Sequence, residues 1–79
     1  MKYKVGDEVT IRSQKWYEEN KDYHGFVNVP FLFIPEMVMY CGETHKITYV
    51  GKREYKYKGV PFYMLEGCED WSFSEEMFE

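Results

Sequence analysis

Apolar and polar residues alternate through Glu8-Val9-Thr10-Ile11-Arg12, with Val9 and Ile11 on one side, the period of a half-buried strand. Gly6-Asp7 supplies a turn before it, and the first strand is expected over residues 5–12. Ser13 then stands where a helix cap belongs, and Gln14 to Asn20 read as a brief helical piece whose Trp16 covers the edge of that strand. Lys21 to Gly25 is turn-like, and Phe26 to Ile34 is the most apolar segment of the chain. Pro35 fits the first position of a second short helix, Glu36 its positive end and Gly42 its stop, which puts Met37, Tyr40 and Cys41 on one face. Further strands are expected at 46–50 and 60–66, the latter with Tyr63 and Leu65 inward and Pro61 near its start, where a lost donor is tolerated. In the tail, Trp71 and Phe73 alternate with Ser72 and Ser74 before the pattern changes to Ser-Glu-Glu-Met-Phe. That change predicts a strand at 71–73 closing into one helical turn, with Ser74 as cap, Glu75 and Glu76 at the positive end and Met77 and Phe78 as apolar anchors. The elements form a meander after one long loop, with the tail as the plug of a small barrel.

At 79 residues the chain is one domain, 1–79, near the size at which folding buries only about 60% of the unfolded surface. Its core must be dense, and an aromatic fraction of 20% (8 Tyr, 6 Phe, 2 Trp) meets that need and favours strands. No run approaches the ~18 apolar residues of a membrane span; Phe26 to Tyr40 is broken by Asn28, Pro30, Pro35 and Glu36. The opening Met1 to Asp7 has no apolar signal-peptide region, which predicts a cytoplasmic protein with Cys41 and Cys68 as thiols.

The net charge of -4 argues against a general binder of phosphate backbones. Its distribution changes the picture. Lys46, Lys52, Arg53, Lys56 and Lys58 oppose Glu54 alone, a local +4, whereas Glu66, Glu69, Asp70, Glu75, Glu76 and Glu79 have no base among them, a local -6. Paired as neighbouring strands, the two segments would compensate each other.

Candidate chemistry is sparse. Cys41 and His45 have the spacing to share a metal on one helix, but Gly42 interrupts it and no Cys-x-x-Cys pair exists, so no metal or other cofactor is expected. Glu66, Glu69 and Asp70 cluster in one turn rather than facing each other across a cleft, and nothing nearby orients His45 for a Cys41 nucleophile; no catalytic residues are assigned. Aromatic recognition is the stronger idea, because Trp16, Tyr17, Tyr23, Tyr55, Tyr57, Trp71 and Phe73 are too many for so small an interior.

Lys4-Val5-Gly6-Asp7-x-Val9-x-Ile11, Met37-x-x-Tyr40-Cys41-Gly42-x-x-x-Lys46-Ile47-Thr48-x-Val50, Tyr63-x-Leu65 and Trp71-x-Phe73-Ser74-Glu75-Glu76-Met77-Phe78 together resemble small SH3-like barrel proteins of bacteriophages and of bacteria carrying their remnants. The resemblance covers nearly the whole chain except residues 13–36 and implies a mainly β fold. The barrel would have about five short strands, a long first loop carrying one or two helical turns, and a C-terminal helical turn. The expected function is a non-catalytic protein-binding module, a phage-type accessory or inhibitor protein in the bacterial cytoplasm. Its partner face would comprise Trp16, Tyr17, Tyr23, Phe31, Phe33, Tyr55, Tyr57 and Trp71, with Glu69 and Asp70 as an acidic rim. Two alternatives stand beside it: nucleic-acid or nucleotide binding through Lys52, Arg53, Lys56 and Lys58, and a homo-oligomer formed through residues 26–34.

Overall fold

The computed structural model describes residues 2–53 and 58–79, among which three strands form one antiparallel sheet in the order β1-β2-β3: β1 Glu8–Thr10, β2 Thr44–Lys52 and β3 Pro61–Leu65. Val9 and Ile11 point inward as their alternation requires, and Glu8 lies opposite Lys46 across the β1–β2 pair. Tyr63 and Leu65 are fully buried. The sheet is open. Where the sequence predicts about five strands and a closed barrel, the tail meets the sheet only at single bridges, Phe73 on Tyr63 and Phe78 on Ile11. The reason is length: the turns at 66–70 and at Glu75–Met77 leave too few residues between them for a ladder. The tail nevertheless ties both outer strands. Phe73 and Tyr63 exchange backbone hydrogen bonds of 2.8 and 2.9 Å, Arg12 N–H donates to the Met77 carbonyl, and Glu79 N–H donates to the Thr10 carbonyl.

The long excursion between β1 and β2 is built as its sequence suggests. Ser13 accepts from Trp16 N–H and caps α1, Gln14–Asn20. Pro35 opens a 3-10 helix, Pro35–Tyr40, whose Met37 is buried while Tyr40 and Cys41 are half-buried. Between the helices, the segment 26–34 folds back on itself: Val27 and Phe33 form an antiparallel bridge and both enter the core.

Four rings, Tyr3, Tyr63, Phe73 and Phe78, contact one another with centroids 5.6 to 6.1 Å apart, mostly edge to face. The Tyr63 hydroxyl donates to Glu75 Oε2 at 2.7 Å, and Lys2 N–H donates to the same oxygen. Part of the tail's acidity is thus spent inside the fold. Met77 and Phe78 are buried, as expected of anchors. Ser74 departs from expectation: it stands at the N-cap of the 3-10 turn Glu75–Met77, but its side chain caps nothing, and its buried Oγ has no hydrogen-bond partner. The extended chain before the turn directs that hydroxyl into the core rather than back toward the free amides. An unpaired buried hydroxyl costs about 1–3 kcal/mol, so Ser74→Ala is expected to raise stability by about 1 kcal/mol in urea denaturation. A loss of stability would show that the hydroxyl has a partner in solution.

Strand β2 carries a bulge between Ile47 and Tyr49. Strict alternation would place Tyr49 on the core side with Ile47. The extra residue, Thr48, reverses the phase, so Tyr49 is 54% exposed and the following Val50 turns inward to half-burial.

Candidate aromatic and guanidinium face

On the outer side of the β2–β3 pair, Tyr49 lies opposite Met64 and Gly51 opposite Phe62. A Cβ on Gly51 would stand 2.7 Å from two atoms of the Phe62 ring and 3.0 Å from the Tyr49 ring. Only glycine lets both rings lie over the backbone there, with centroids 5.8 Å apart. The same face is reached by Phe31 from the long loop, its ring centroid 6.0 Å from that of Phe62. The Arg53 guanidinium then sits 5.4 Å from the Phe31 centroid and 5.3 Å from that of Phe62, bridging loop and sheet.

Phe31 is delivered by a turn, Val29-Pro30-Phe31-Leu32, that Leu32 N–H closes on the Val29 carbonyl at 2.8 Å. Proline suits the second position of such a turn, but Phe31 (φ 68°) and Leu32 (φ 49°) both occupy the left-handed region. For L-residues with side chains that conformation costs about 1–2 kcal/mol each. Strain of this kind persists only where surrounding structure imposes it, here the Val27–Phe33 bridge below and the Phe62–Arg53 contact above.

The basic residues lie at the same end. Arg53 and Lys58 form a bridge across the base of the β2–β3 connection, Gly59 N–H donates to the Arg53 carbonyl at 2.9 Å, and Lys52 precedes Arg53 at the end of β2. All three are exposed. Among the described residues the ion pairs are Lys21 with Glu18 and His45 with Glu43, so neither lysine nor Arg53 has a carboxylate partner there.

The other candidate residues do not converge here. Tyr17 and Phe33 are core residues and cannot form part of an exposed face: the Tyr17 hydroxyl donates to the Gly25 carbonyl, and Phe33 packs under Trp16 and Tyr17. Phe73 is likewise consumed by the core. Trp16 is half-buried between Phe33 and the Arg12 guanidinium, and Trp71 is half-buried against the core. Tyr23 is 92% exposed, its ring tilted 37° against that of His24 with centroids 4.0 Å apart. Glu69 and Asp70 are exposed, but the Glu69 carboxylate accepts from Gly67 N–H, a bond that holds it below the usual carboxylate range. Tyr55, Lys56 and Tyr57 lie outside the described residues.

Of the residues singled out in the sequence, Phe31, Lys52, Arg53 and Lys58 are brought together; Tyr49 and Phe62 complete the group and were missed. Gly51 within a strand was the available signal, since an interior glycine marks a bulge or a close approach. Cys41 and Cys68 are free thiols, each pushed above its ordinary pKa by burial. His45 is held between the Glu66 carbonyl (2.7 Å from Nδ1) and the Glu43 carboxylate (2.8 Å from Nε2). Among the described residues no three His, Cys, Asp or Glu side chains converge as metal ligands, and no helix is long and apolar enough to cross a membrane. Compared with known proteins, the chain matches no family model, no curated sequence and no solved structure.

Proposed function

We propose that the chain is a non-catalytic protein-binding module and that its docking face is the group Phe31, Tyr49, Phe62 and Arg53. The observation that carries this reading is the turn holding Phe31 in a strained conformation against Phe62 and Arg53, beside a tyrosine that the Thr48 bulge turns outward. The bulge turns Tyr49 outward to 54% exposure, and the strained turn holds Phe31 half-buried beside Phe62 at the rim of the same face. Rigid aromatic side chains and arginine are the residues that most often dominate binding energy.

The finer fold reading belongs with this proposal. An SH3-like arrangement of five short strands, left open, would place the two further strands where Phe73 bridges β3 and Phe78 bridges Ile11, and the tail's backbone bonds to both outer strands support it. A phage-type accessory or inhibitor role in the host cytoplasm fits a small module of this kind. Docking through Glu69, Asp70 and Trp71 is less favoured, because the Glu69 carboxylate is engaged within the fold by Gly67 N–H. Nucleic acid is the second reading, supported by the exposed Lys52, Arg53 and Lys58 beside stacking rings.

A displayed library of random peptides about 12 residues long, selected on the immobilised chain, tests the face. Tyr49 is largely exposed, so Tyr49→Ala keeps the fold, and selected peptides are expected to bind it at least about tenfold more weakly. Peptides that bind the variant as well as wild type would place the docking face elsewhere.

A further inference from the structure

From the same face, and resting on the protein-binding reading above, we infer the chemical class of the partner: an extended protein segment that carries aromatic or aliphatic residues together with acidic ones on one face.

Charge complementarity is the first ground. Arg53, Lys58 and Lys52 crowd the base of one connection, all exposed, with no carboxylate paired to them among the described residues. Lys46, the remaining described base of that stretch, differs: it lies opposite Glu8 across the sheet. Arg53 is also fixed in place. Among the described residues two ring contacts hold its guanidinium, and no guanidinium N–H is engaged by an acceptor. A guanidinium packed on rings keeps its planar fork of donors available, and that fork matches a carboxylate in two parallel hydrogen bonds.

The sheet itself is the second ground. β1 pairs with β2 only over Thr44 to Lys46, whereas β2 runs on to Lys52 with β3 on its other side. Over 48–52, then, the β1 side of β2 has no neighbouring strand among the described residues; Tyr49 lies within that stretch and Arg53 follows it. An extended segment laid there can pair its backbone while its side chains fall alternately toward the rings and away from them. The Arg53 guanidinium lies on the ring face, so of the side chains turned to that face an apolar one would meet Tyr49 and Phe62, and an acid two residues along would meet Arg53.

A protein segment fits better than a nucleic acid. The whole chain carries -4 and residues 46–58 carry +4, so the remaining residues carry -8. On a body 31 × 28 × 20 Å across, a polyanion running past the basic corner meets that acidity within a few Debye lengths of about 8 Å. A short acidic segment can end inside the corner.

Three pools of fluorescein-labelled peptides about 12 residues long test the inference on the full chain, each mixing Trp, Phe or Ile in random order with Asp/Glu, with Lys/Arg or with Ser. The acidic pool is expected to bind at least about tenfold more tightly than the basic one and to weaken as NaCl rises from about 50 to about 300 mM. Arg53→Glu is expected to reverse the preference, and Arg53→Lys to keep only part of it. Equal or tighter binding of the basic pool by wild type, or an unchanged preference in an Arg53→Glu variant that melts like wild type, overturns the inference. So does labelled oligo-dT of about 15 nucleotides binding more tightly than the acidic pool, which would assign the face to nucleic acid. A Ser pool that binds as well as the acidic one, and is lost in Tyr49→Ala, overturns the charge assignment while leaving the protein-binding face standing. If no pool binds, both fall.

Discussion

Phe78→Ala is expected to lower stability by about 3–5 kcal/mol, the cost of truncating a fully buried aromatic ring. Phe78 is buried and touches Tyr3, Tyr63 and Phe73, and its backbone bridges to Ile11 at the far edge of the sheet. Truncation therefore opens a cavity among three other rings, all of which depend on their neighbours for packing. A domain of this size has about 5–15 kcal/mol in total and stands toward the lower end, so most of the margin would go. Melting should fall by at least about 12 °C, given about 4–8 °C per kcal/mol for small domains. A fall of only a degree or two would show that the tail does not hold the two outer strands together.

Stability is expected to decline steeply between about pH 9 and about pH 12 because two buried groups must stay neutral in the fold. Burial, and after it the hydrogen bond to the Glu75 carboxylate, pushes the Tyr63 hydroxyl up to about 12 from 10.0. Burial, and after it the charges of Glu43 and Glu69, pushes the Cys68 thiol up to about 11 from 9.0. In each case the folded value lies above the unfolded one. The unfolded chain thus loses its protons first, and ionisation pulls the equilibrium toward it. The contribution of Cys68 is complete below pH 9 and lost by about 11; that of Tyr63 is complete below pH 10 and lost by about 12. Urea denaturation at intervals across this range measures the decline, and Cys68→Ala should make it shallower between about pH 9 and about pH 11, where the half-buried Cys41 alone of the two thiols still opposes ionisation. Constant stability to pH 11, or an equally steep decline in Cys68→Ala, would contradict this assignment.

Local chemistry made much of the fold legible. Ser13 and the seven residues after it announce α1 by cap and pattern, Pro35 announces the 3-10 helix, and Val9, Ile11, Tyr63 and Leu65 announce the core face by alternation. Met77 and Phe78 were visible as anchors for the same reason. Ser74 misled because a cap depends on where the hydroxyl points, which the path of the preceding chain decides. Tyr17 and Phe33 are read from the sequence as partner-face residues; they are core because the 26–34 segment doubles back to bridge Val27 with Phe33, a contact with no local signature. The candidate face was half legible. Arg53 and Lys58 were conspicuous by charge, but Tyr49 became a surface residue only through the Thr48 bulge, and Phe62 joined it only because Gly51 leaves room.

Amide chemical-shift mapping of the uniformly labelled chain, titrated with the acidic peptide pool, tests the central claim most directly. The account predicts the largest shifts at Phe31, Tyr49, Gly51, Arg53 and Phe62, with Tyr23, Glu69, Asp70 and Trp71 unmoved. Shifts centred on residues 69–71 or on Tyr23, or no shifts at all, would contradict it.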